Sequence, residues 1–365
     1  MRIHLITPAK PGSRAGNRAT AVRWARHLRA LGHRVRVATE YRPRTSARGA
    51  DDGETADAMI ALHAWRSARS IERFARRCPG RPLIVALTGT DIHRFQFSHP
   101  RPTRRSMALA SVLVTLHGEV AAHVPARFRH KISVVYQSAK PLAAGLRAPS
   151  ARPKKPKPSS RRFEVCVIGH LRAEKDPLRT AYAARRLPAS SRVRVTQLGQ
   201  AIGPEWERKA KQEERKNPRY RWLGEVAHAR VRAVMGRSRV MVISSAMEGG
   251  ANVVSEAAVA GLPVIASRIP GNVGLLGRGY AGYFPLRDEK ALARLLGRAE
   301  ENPGFLARLE RAVRARAGLF RPTRERAMLK ALIARLVKGR SGSARAIRSA
   351  PAPARSARRG RNPRP

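Results

Sequence analysis

Cysteine, acidic residues, aromatic residues and long apolar runs are all scarce in this chain of 365 residues. Its two cysteines, Cys78 and Cys166, are too few for a disulfide framework or a cysteine-rich metal site. No apolar run approaches the ~20 residues that a membrane-spanning helix needs. The first residues, MRIHLITPAKPG, are too short for the apolar core of a signal peptide. We therefore expect a soluble, cytoplasmic protein without stable membrane insertion.

Several functional signatures are also absent from the sequence. An Asp-x-Asp pair of the kind that binds metal does not occur, so we expect neither a metal nor another cofactor. The glycine-containing loop after the first predicted strand, Gly12–Thr20, does not have the GxGxxG fingerprint of dinucleotide-binding folds. Aromatic residues make up 5% of the chain and are too scattered to form a stacking platform. The oligomeric state is not determined by any of these features.

Charge is strongly one-sided, with 75 Lys and Arg against 24 Asp and Glu, a net charge of +51. That excess by itself favours a nucleic-acid partner. However, no helix-turn-helix, zinc-finger or RNA-binding signature accompanies it. Sixteen of the basic residues lie in two stretches without acids, residues 146–162 and 338–365. We therefore rank nucleic-acid binding last among the possible functions and expect no specific nucleic-acid partner.

Short apolar runs alternate with helical patterns in both halves of the chain, which predicts two α/β domains with doubly wound parallel sheets. The predicted strands are Ile3–Ile6, Val35–Ala38, Met59–Leu62, Leu83–Leu87, Val112–Leu116 and Ile132–Tyr136, then Phe163–Ile168, Val193–Leu198, Val240–Ser244 and Pro263–Ala266. The predicted division is a first domain over 1–140, a Pro/Lys/Arg-rich linker over 141–162, a second domain over 163–337 and a disordered basic tail over 338–365. Such domains bind ligands in the cleft at the carboxyl ends of their strands.

The strongest motif is the segment from Glu248 to Glu256, EGGANVVSE, between a predicted strand and a predicted helix. Its two glutamates lie about two helical turns apart and can face one ligand. Backbone N–H groups at a helix N-terminus suit phosphate oxygens, and an acidic side chain suits ribose hydroxyls. A capped helix with a solvated glutamate is the alternative.

Two further loops follow the first strand of each domain. The second-domain loop, Gly169–Pro177, holds Arg172 and Lys175, two cations suited to a diphosphate, although each is also compatible with an ordinary solvated charge. The first-domain loop, Gly12–Thr20, holds glycines that allow backbone to approach an anion closely. The first-domain loop alone is weak evidence for a nucleotide site.

Together these elements resemble the retaining glycosyltransferases of family four, which have the GT-B architecture. More closely, six ordered blocks resemble the selenosugar synthases of selenoneine biosynthesis. The blocks are GNRATAVRWARHLRALGHRV, ALHAWRS, VALTGTDIH, VIGHLRAEKDPLR, EGGANVVSEA and IPGNVGLLG, within residues 3 to 325. The resemblance implies two Rossmann-like domains facing a cleft. It also implies metal-independent transfer of a sugar from UDP-N-acetylglucosamine or UDP-glucose to selenophosphate, with release of UDP and phosphate.

The resemblance also implies roles for particular residues. Glu256 would hold the ribose, Glu248 would lie beside the sugar ring, and Lys175 would stabilise the leaving diphosphate. His170 stands where the family has an arginine, so Arg172 either takes that place or leaves His170 a different role. The expected donor-binding residues are Gly16, Asn17, Arg172, Lys175, Glu248, Gly249, Gly250, Ala251, Asn252 and Glu256. The expected catalytic residues are Glu248, Lys175, Arg172 and His63, the last because family-four enzymes place a histidine at the matching strand end.

Acceptor-binding candidates come from strand ends of the first domain. They are Arg18, Arg66, Thr90 and Asp91, of which the arginines and Thr90 suit the charge of selenophosphate. For each, a cap, turn or solvated charge is the competing interpretation. An anionic selenium nucleophile needs little deprotonation, so a general base is dispensable. The alternative function is a family-four glycosyltransferase with a carbohydrate or lipid hydroxyl acceptor. Retention or inversion at the anomeric carbon stays open.

Overall fold

A computed structural model describes residues 1–42, 56–142 and 162–348 of the chain. The predicted linker therefore lies almost wholly outside the described residues, as does the predicted tail after residue 348. No helix in the described ranges is both long and apolar enough to cross a membrane.

The first domain is a six-stranded parallel sheet with the strand order β2-β1-β3-β4-β5-β6. Its strands are β1 (Arg2–Ile6), β2 (Arg34–Ala38), β3 (Ala58–Leu62), β4 (Leu83–Leu87), β5 (Val112–Thr115) and β6 (Ile132–Val134). Its helices are α1 (Gly16–Ala30), α2 (Ala68–Arg77), α3 (Gln96–Ser98) and α4 (Pro100–Leu109); a π-helical turn, Asp91–Phe95, precedes α3. Every residue of β3 and β4 is buried, as expected for central strands that helices cover on both faces.

The second domain repeats this architecture with the strand order β12-β11-β10-β7-β8-β9, again parallel throughout. Its strands are β7 (Phe163–Ile168), β8 (Val193–Leu198), β9 (Tyr220–Trp222), β10 (Val240–Ile243), β11 (Val264–Ser267) and β12 (Tyr283–Phe284). Its helices are α5 (Arg179–Arg185), α6 (Pro204–Lys216), α7 (His228–Arg237), α8 (Asn252–Ala260), α9 (Pro270–Leu276), α10 (Glu289–Glu301) and α11 (Pro303–Arg316). All ten predicted strands form, within a residue or two of their predicted ends. The short edge strands β9 and β12 were not predicted.

The last helix, α12 (Pro322–Arg348), returns to the first domain. Leu329, Leu332 and Ile333 pack into the same buried cluster as Trp24 and Leu28 of α1. The second domain was predicted to extend to residue 337. Helix α12 instead completes the core of the first domain, which corrects that prediction. The backbone of residues 338–348 continues this helix, whereas the tail was predicted to begin at residue 338.

Glu325, fully buried near the start of α12, holds this helix in place. Its carboxylate accepts hydrogen bonds from Arg23 Nε at 2.9 Å and Trp24 Nε1 at 2.7 Å. The amide and hydroxyl of Ser138 donate to the same carboxylate. Burial alone would raise the pKa of Glu325, but the nearby His27 ring, the charge of Arg23 and the hydrogen bonds from Ser138 and Trp24 lower this pKa to about 2. The carboxylate is thus an ionised anchor at neutral pH.

Candidate active site in the cleft

The loop between β10 and α8 brings two predicted catalytic residues together. Glu248 is 8% exposed, and its Oε1 lies 2.5 Å from Lys175 Nζ. The hydroxyl of Ser245 donates to the same oxygen at 2.6 Å. Lys175 comes from the 3₁₀ turn Ala173–Lys175 after β7, a strand that pairs with β10. A lysine and a carboxylate from neighbouring strand ends therefore share one point of the cleft, as parallel strands require.

The backbone of the Glu248 loop offers unpaired donors. Within the described ranges, the N–H groups of Gly249, Gly250 and Ala251 donate to no protein acceptor. They lead directly into Asn252, the first residue of the nine-residue helix α8. Consecutive free amides at a helix N-terminus carry partial positive charge and suit phosphate or sugar oxygens.

Glu256 lies one turn further along α8 with a side chain that is 17% exposed. Its two oxygens face His228 Nε2 at 3.4 Å and Arg232 Nη1 at 3.9 Å, both from α7. The hydrogen bond to Glu256, followed by its negative charge, raises the pKa of His228. Neither α7 residue was expected at this site, because nothing in the spacing of that helix relates it to Glu256.

Arg172 and His170 differ in the partners they have. The Nε atom of Arg172 is buried and has no hydrogen-bond partner among the described residues. His170 Nδ1 instead accepts a hydrogen bond from the backbone amide of Gln200 at 3.2 Å. Burial lowers the pKa of His170, which favours the neutral ring. The unpaired donor of the second-domain loop thus belongs to Arg172, whereas His170 joins two neighbouring strand ends.

The first-domain loop meets the second domain at α1. A Cβ atom on Gly16, the first residue of α1, would lie 3.7 Å from Asn252 Nδ2. Asn17 and Arg18, both half-buried, occupy the next positions of the same turn. The predicted donor-binding residues of the two domains are therefore neighbours across the cleft.

On the acceptor side, His63 and Thr90 form a pair. His63, at the end of β3, is 2% exposed and has a positive φ of 76°. Its Nδ1 accepts from the amide of Arg66 at 3.2 Å, so the ring proton lies on Nε2, which is 2.9 Å from Thr90 Oγ1. Burial lowers the pKa of His63, against the raising effect of the Asp91 charge. The result is a neutral imidazole that holds the Thr90 hydroxyl.

Asp91 has a different environment from the one expected for an acceptor-binding residue. It is fully buried, and its two oxygens accept from the backbone amides of Ala64, Thr88, Gly89 and Ile92. A carboxylate with four backbone donors has no free lone pair directed at a ligand. Its geometry is that of a scaffold, which fixes the ends of β3 and β4.

Arg66 is exposed, with its guanidinium 5.8 Å from the centre of the Phe95 ring. On the same ring, Trp65 stacks at a centroid distance of 4.0 Å. Trp65 thus packs in an aromatic cluster, in accord with the structural role expected for the scattered aromatics. Arg66 remains accessible to an anion beside this cluster.

The two domains touch at the mouth of the cleft through glycines. A Cβ atom on Gly89 would lie 2.5 Å from Gly249 N, and one on Gly249 would lie 2.2 Å from the carbonyl carbon of Thr88. Only residues without side chains permit this approach. Three charged contacts surround it across the domains, namely Arg94–Glu174 at 3.1 Å, Arg278–Glu119 at 3.1 Å and Arg14–Glu225 at 3.6 Å. The two strand-end loops are therefore in direct backbone contact.

His117 was not expected at this interface. It is fully buried, and neither ring nitrogen has a partner among the described residues. A Cβ atom on Gly274 of α9 would lie 2.2 Å from its Nδ1. Burial, followed by the charge of His93, lowers the pKa of His117 to about 4. The ring is therefore neutral near pH 7 and acts as packing between the domains. In the described ranges, no group of three or more His, Cys, Asp or Glu side chains fits a metal ion.

Comparison with known proteins agrees with this architecture. Residues 150–316 match the family model described as glycosyl transferases group 1. Similar solved structures include HepE of Anabaena in complex with UDP-glucose, at 17% identity over 92% of this chain and 100% of that chain, with a TM-score of 0.69. Sucrose-phosphate synthase of Thermosynechococcus elongatus is similar at 16% identity over 93% and 99%, with a TM-score of 0.71.

A third similar structure is the catalytic domain of Starch Synthase IV of Arabidopsis thaliana bound to ADP and acarbose. It matches at 13% identity over 92% of this chain and 99% of that chain, with a TM-score of 0.68. The overall architecture of this chain agrees with that of these neighbours. The chain has the GT-B fold, and its second half is similar to the group 1 glycosyltransferases.

Proposed function

We propose that the protein is a glycosyltransferase that moves a sugar from a UDP-sugar to selenophosphate. The single observation that carries the donor half is the meeting of Lys175, Glu248 and the unpaired amides of Gly249–Ala251 in one cleft. UDP-N-acetylglucosamine and UDP-glucose are the candidate donors. HepE, which has the same fold, holds UDP-glucose in its crystal structure.

Each donor moiety has a complementary group in the cleft. The ribose hydroxyls suit the Glu256 carboxylate, whose side chain is 17% exposed. The diphosphate suits Lys175, Arg172 and the free amides at the start of α8. The sugar lies next to Glu248 in this arrangement. Charge that develops on departing UDP is thereby met by fixed positive groups, which is electrostatic stabilisation of the transition state.

Transfer to selenophosphate takes two steps. Selenium of selenophosphate attacks C1 of the sugar, the C1–Se bond forms, and the C1–O bond to UDP breaks. Water then cleaves the Se–P bond, which releases phosphate and leaves a 1-selenosugar. Arg18, Arg66 and the Thr90 hydroxyl are the proposed partners of the selenophosphate oxygens.

The state of His63 favours an anionic nucleophile over a hydroxyl. Its Nδ1 is occupied by the Arg66 amide and its Nε2 by Thr90, so it has no lone pair to accept a proton from a substrate. A hydroxyl acceptor needs such a base, whereas an already ionised selenium does not. Transfer to a carbohydrate or lipid hydroxyl is the alternative, and a function in nucleic-acid binding has no further support in the fold.

The test incubates purified protein with each UDP-sugar and selenophosphate and measures UDP, phosphate and selenosugar by mass spectrometry. We expect all three products with selenophosphate, no UDP and no selenosugar when phosphate replaces it, and much slower formation of the products when Lys175 is changed to Met. UDP release only with a hydroxyl acceptor would contradict the selenophosphate assignment but not the donor. Absence of UDP binding, measured by calorimetry, would contradict the donor assignment itself. A parallel titration with ADP tests whether the nucleobase is uracil or adenine, because Starch Synthase IV binds ADP.

A further inference from the structure

Gln137 lies where the chain first passes between the domains, in the crossover segment of residues 135–142. The amide of Val135 still donates to Thr115 in the first domain, whereas the amide of Ala139 donates to Phe320 and the Lys140 carbonyl accepts from Arg232. Gln137 is 3% exposed between these points. Its side-chain amide is therefore a buried polar group that must find partners within the protein.

The partners of Gln137 come from both domains. The orientation of the amide is assigned from its hydrogen-bond network: with both of its ends paired, its nitrogen donates to the backbone carbonyl of Gly250 at 2.8 Å and to Asn252 Oδ1 at 3.2 Å. Its oxygen accepts from Arg23 Nη2 at 3.3 Å and lies 2.5 Å from Thr20 Oγ1. The amide thus bridges α1 of the first domain and the start of α8 in the second.

The bond to Gly250 has a geometric consequence for the phosphate-binding loop. In a trans peptide the carbonyl and the following N–H point in opposite directions. Because the Gly250 carbonyl points at Gln137, the N–H of Ala251 points away from it, and that N–H has no acceptor among the described residues. Rotation of this peptide would withdraw the Ala251 donor and leave the Gly250 carbonyl in its place.

The other end of the bridge is firmly held. Arg23, which binds the Gln137 oxygen, also donates from Nε to the buried carboxylate of Glu325 at 2.9 Å. Hydrogen bonds thus run without a break from Glu325 through Arg23 and Gln137 to Gly250. Buried networks in which every member is paired fix one geometry, because each alternative leaves an unpaired group.

We propose that Gln137 is a positioning residue that holds the Gly250–Ala251 peptide with its N–H directed at the donor diphosphate. Because the diphosphate belongs to the donor proposed above, this assignment rests on that proposed function. Gln137 itself touches no substrate. Its contribution is confined to the diphosphate, since ribose recognition is assigned to Glu256.

Because Gln137 is proposed to act on the diphosphate and not on the ribose, the affinities of UDP and of uridine are measured for the same variants. Gln137→Met keeps the side-chain volume and removes the hydrogen bonds, and Gln137→Glu places a carboxylate oxygen against the Gly250 carbonyl. We expect each variant to bind UDP about tenfold or more weakly, the size of one lost hydrogen bond to a charged group. Uridine affinity, followed by ligand-observed NMR, should stay within about twofold of the wild-type value.

Ser138→Ala is the matched control, because Ser138 adjoins Gln137 and binds Glu325 but makes no contact with the donor loop. It should lower Tm without changing UDP affinity. Equal losses for uridine and UDP, or an unchanged UDP affinity in both Gln137 variants, would overturn the positioning role. Wild-type protein that fails to bind UDP would instead contradict the proposed function. The two failures are therefore distinguishable.

Discussion

Gly89 and Gly249 touch across the cleft so closely that a Cβ atom on Gly89 would lie 2.5 Å from the Gly249 nitrogen. One of these residues follows β4 of the first domain and the other follows β10 of the second. The loop that holds Glu248 is therefore seated directly on the end of β4. This contact brings the proposed UDP-sugar-binding and selenophosphate-binding residues within reach of each other.

Gly249→Ala should prevent this seating, since its new methyl group would meet backbone atoms of Thr88 and Gly89 at 2.2 to 2.3 Å. We expect a loss of about 100-fold or more in kcat/KM, because a displacement of about 1 Å is enough to cause such a loss. Small-angle scattering should show a larger radius of gyration. In the control Gly297→Ala, the new Cβ lies at an ordinary 3.8 Å from Leu187, so activity and radius should not change. A compact, active Gly249→Ala protein would contradict the role of the contact.

Lys175→Met should chiefly slow turnover, because the lysine is assigned to the departing diphosphate. We expect kcat to fall about 10²-fold to 10³-fold, as when one preorganised charge-stabilising donor is removed. Single-turnover kinetics measures this step directly. Lys209→Met, at an exposed pair with Glu205 on α6, is the control and should be close to wild type. A normal turnover number would exclude Lys175 from leaving-group stabilisation.

Glu256→Gln should weaken UDP binding about tenfold and also change its neighbour. The carboxylate raises the pKa of His228, so this pKa should fall in the variant. Calorimetry measures the affinity, and an NMR titration of the His228 ring measures the pKa. Glu207→Gln, on an exposed face of α6, provides the comparison. If the His228 pKa falls while UDP affinity is unchanged, Glu256 does not bind the ribose.

His117 should make the protein less stable as pH falls. Its pKa of about 4 in the folded protein lies below its ordinary value of 6.5, so the unfolded chain binds more protons between these values. The free energy of unfolding is therefore not reduced by His117 above pH 6.5, and it decreases as pH falls from 6.5 towards 4. The limit is about 3 kcal/mol in the free energy of unfolding.

Urea unfolding from pH 7.5 to 4.5 measures the free energy of unfolding of wild type and of His117→Gln. The part of the decrease at low pH that comes from His117 should be missing in the variant. His228→Gln is the control of opposite sign, because the folded-state pKa of His228 is raised and its contribution is lost as pH rises. Parallel pH profiles for wild type and His117→Gln would show that His117 is not buried in the neutral form.

Glu325→Gln should destabilise the protein by about 3 kcal/mol at pH 7, since it unpairs a buried network. The folded-state pKa of about 2 lies below the ordinary 4.5, so the stabilisation is present above pH 4.5 and lost as pH falls towards 2. Chemical denaturation at pH 7, 4 and 3 measures it. A variant difference that stays constant across this range would contradict an ionised anchor.

Contiguous motifs explain why the sequence predicts that Glu248 and Lys175 lie close together in the candidate site. Glu248 and Lys175 lie at strand ends, and the ends of neighbouring parallel strands meet at one edge of a sheet. By contrast, Gln137 follows a three-residue strand and has partners 117 residues earlier and more than 110 residues later. No local periodicity encodes such a contact. Likewise, an aspartate at a strand end is typical of a binding residue. Only the four backbone amides that donate to Asp91 show that it holds the ends of β3 and β4 in place.

The fold was predictable to a similar depth. A continuous apolar run such as β4 can be recognised as a strand from the sequence. Strands β9 and β12, with three and two residues, are too short to produce a pattern. The destination of α12 was also hidden, because its amphipathic sequence fits either core. Only the packing of Leu329 and Leu332 against Trp24 decides between them.

That packing has a consequence for synthesis of the chain. A ribosome delivers the first domain long before α12, yet Leu329, Leu332 and Ile333 complete the core of that domain. Until α12 has been synthesised, the side of α1 that receives this helix lacks its contacts with Leu329, Leu332 and Ile333. The nascent first domain must wait for the second to be made, so the order of translation differs from the order in which the cores can close.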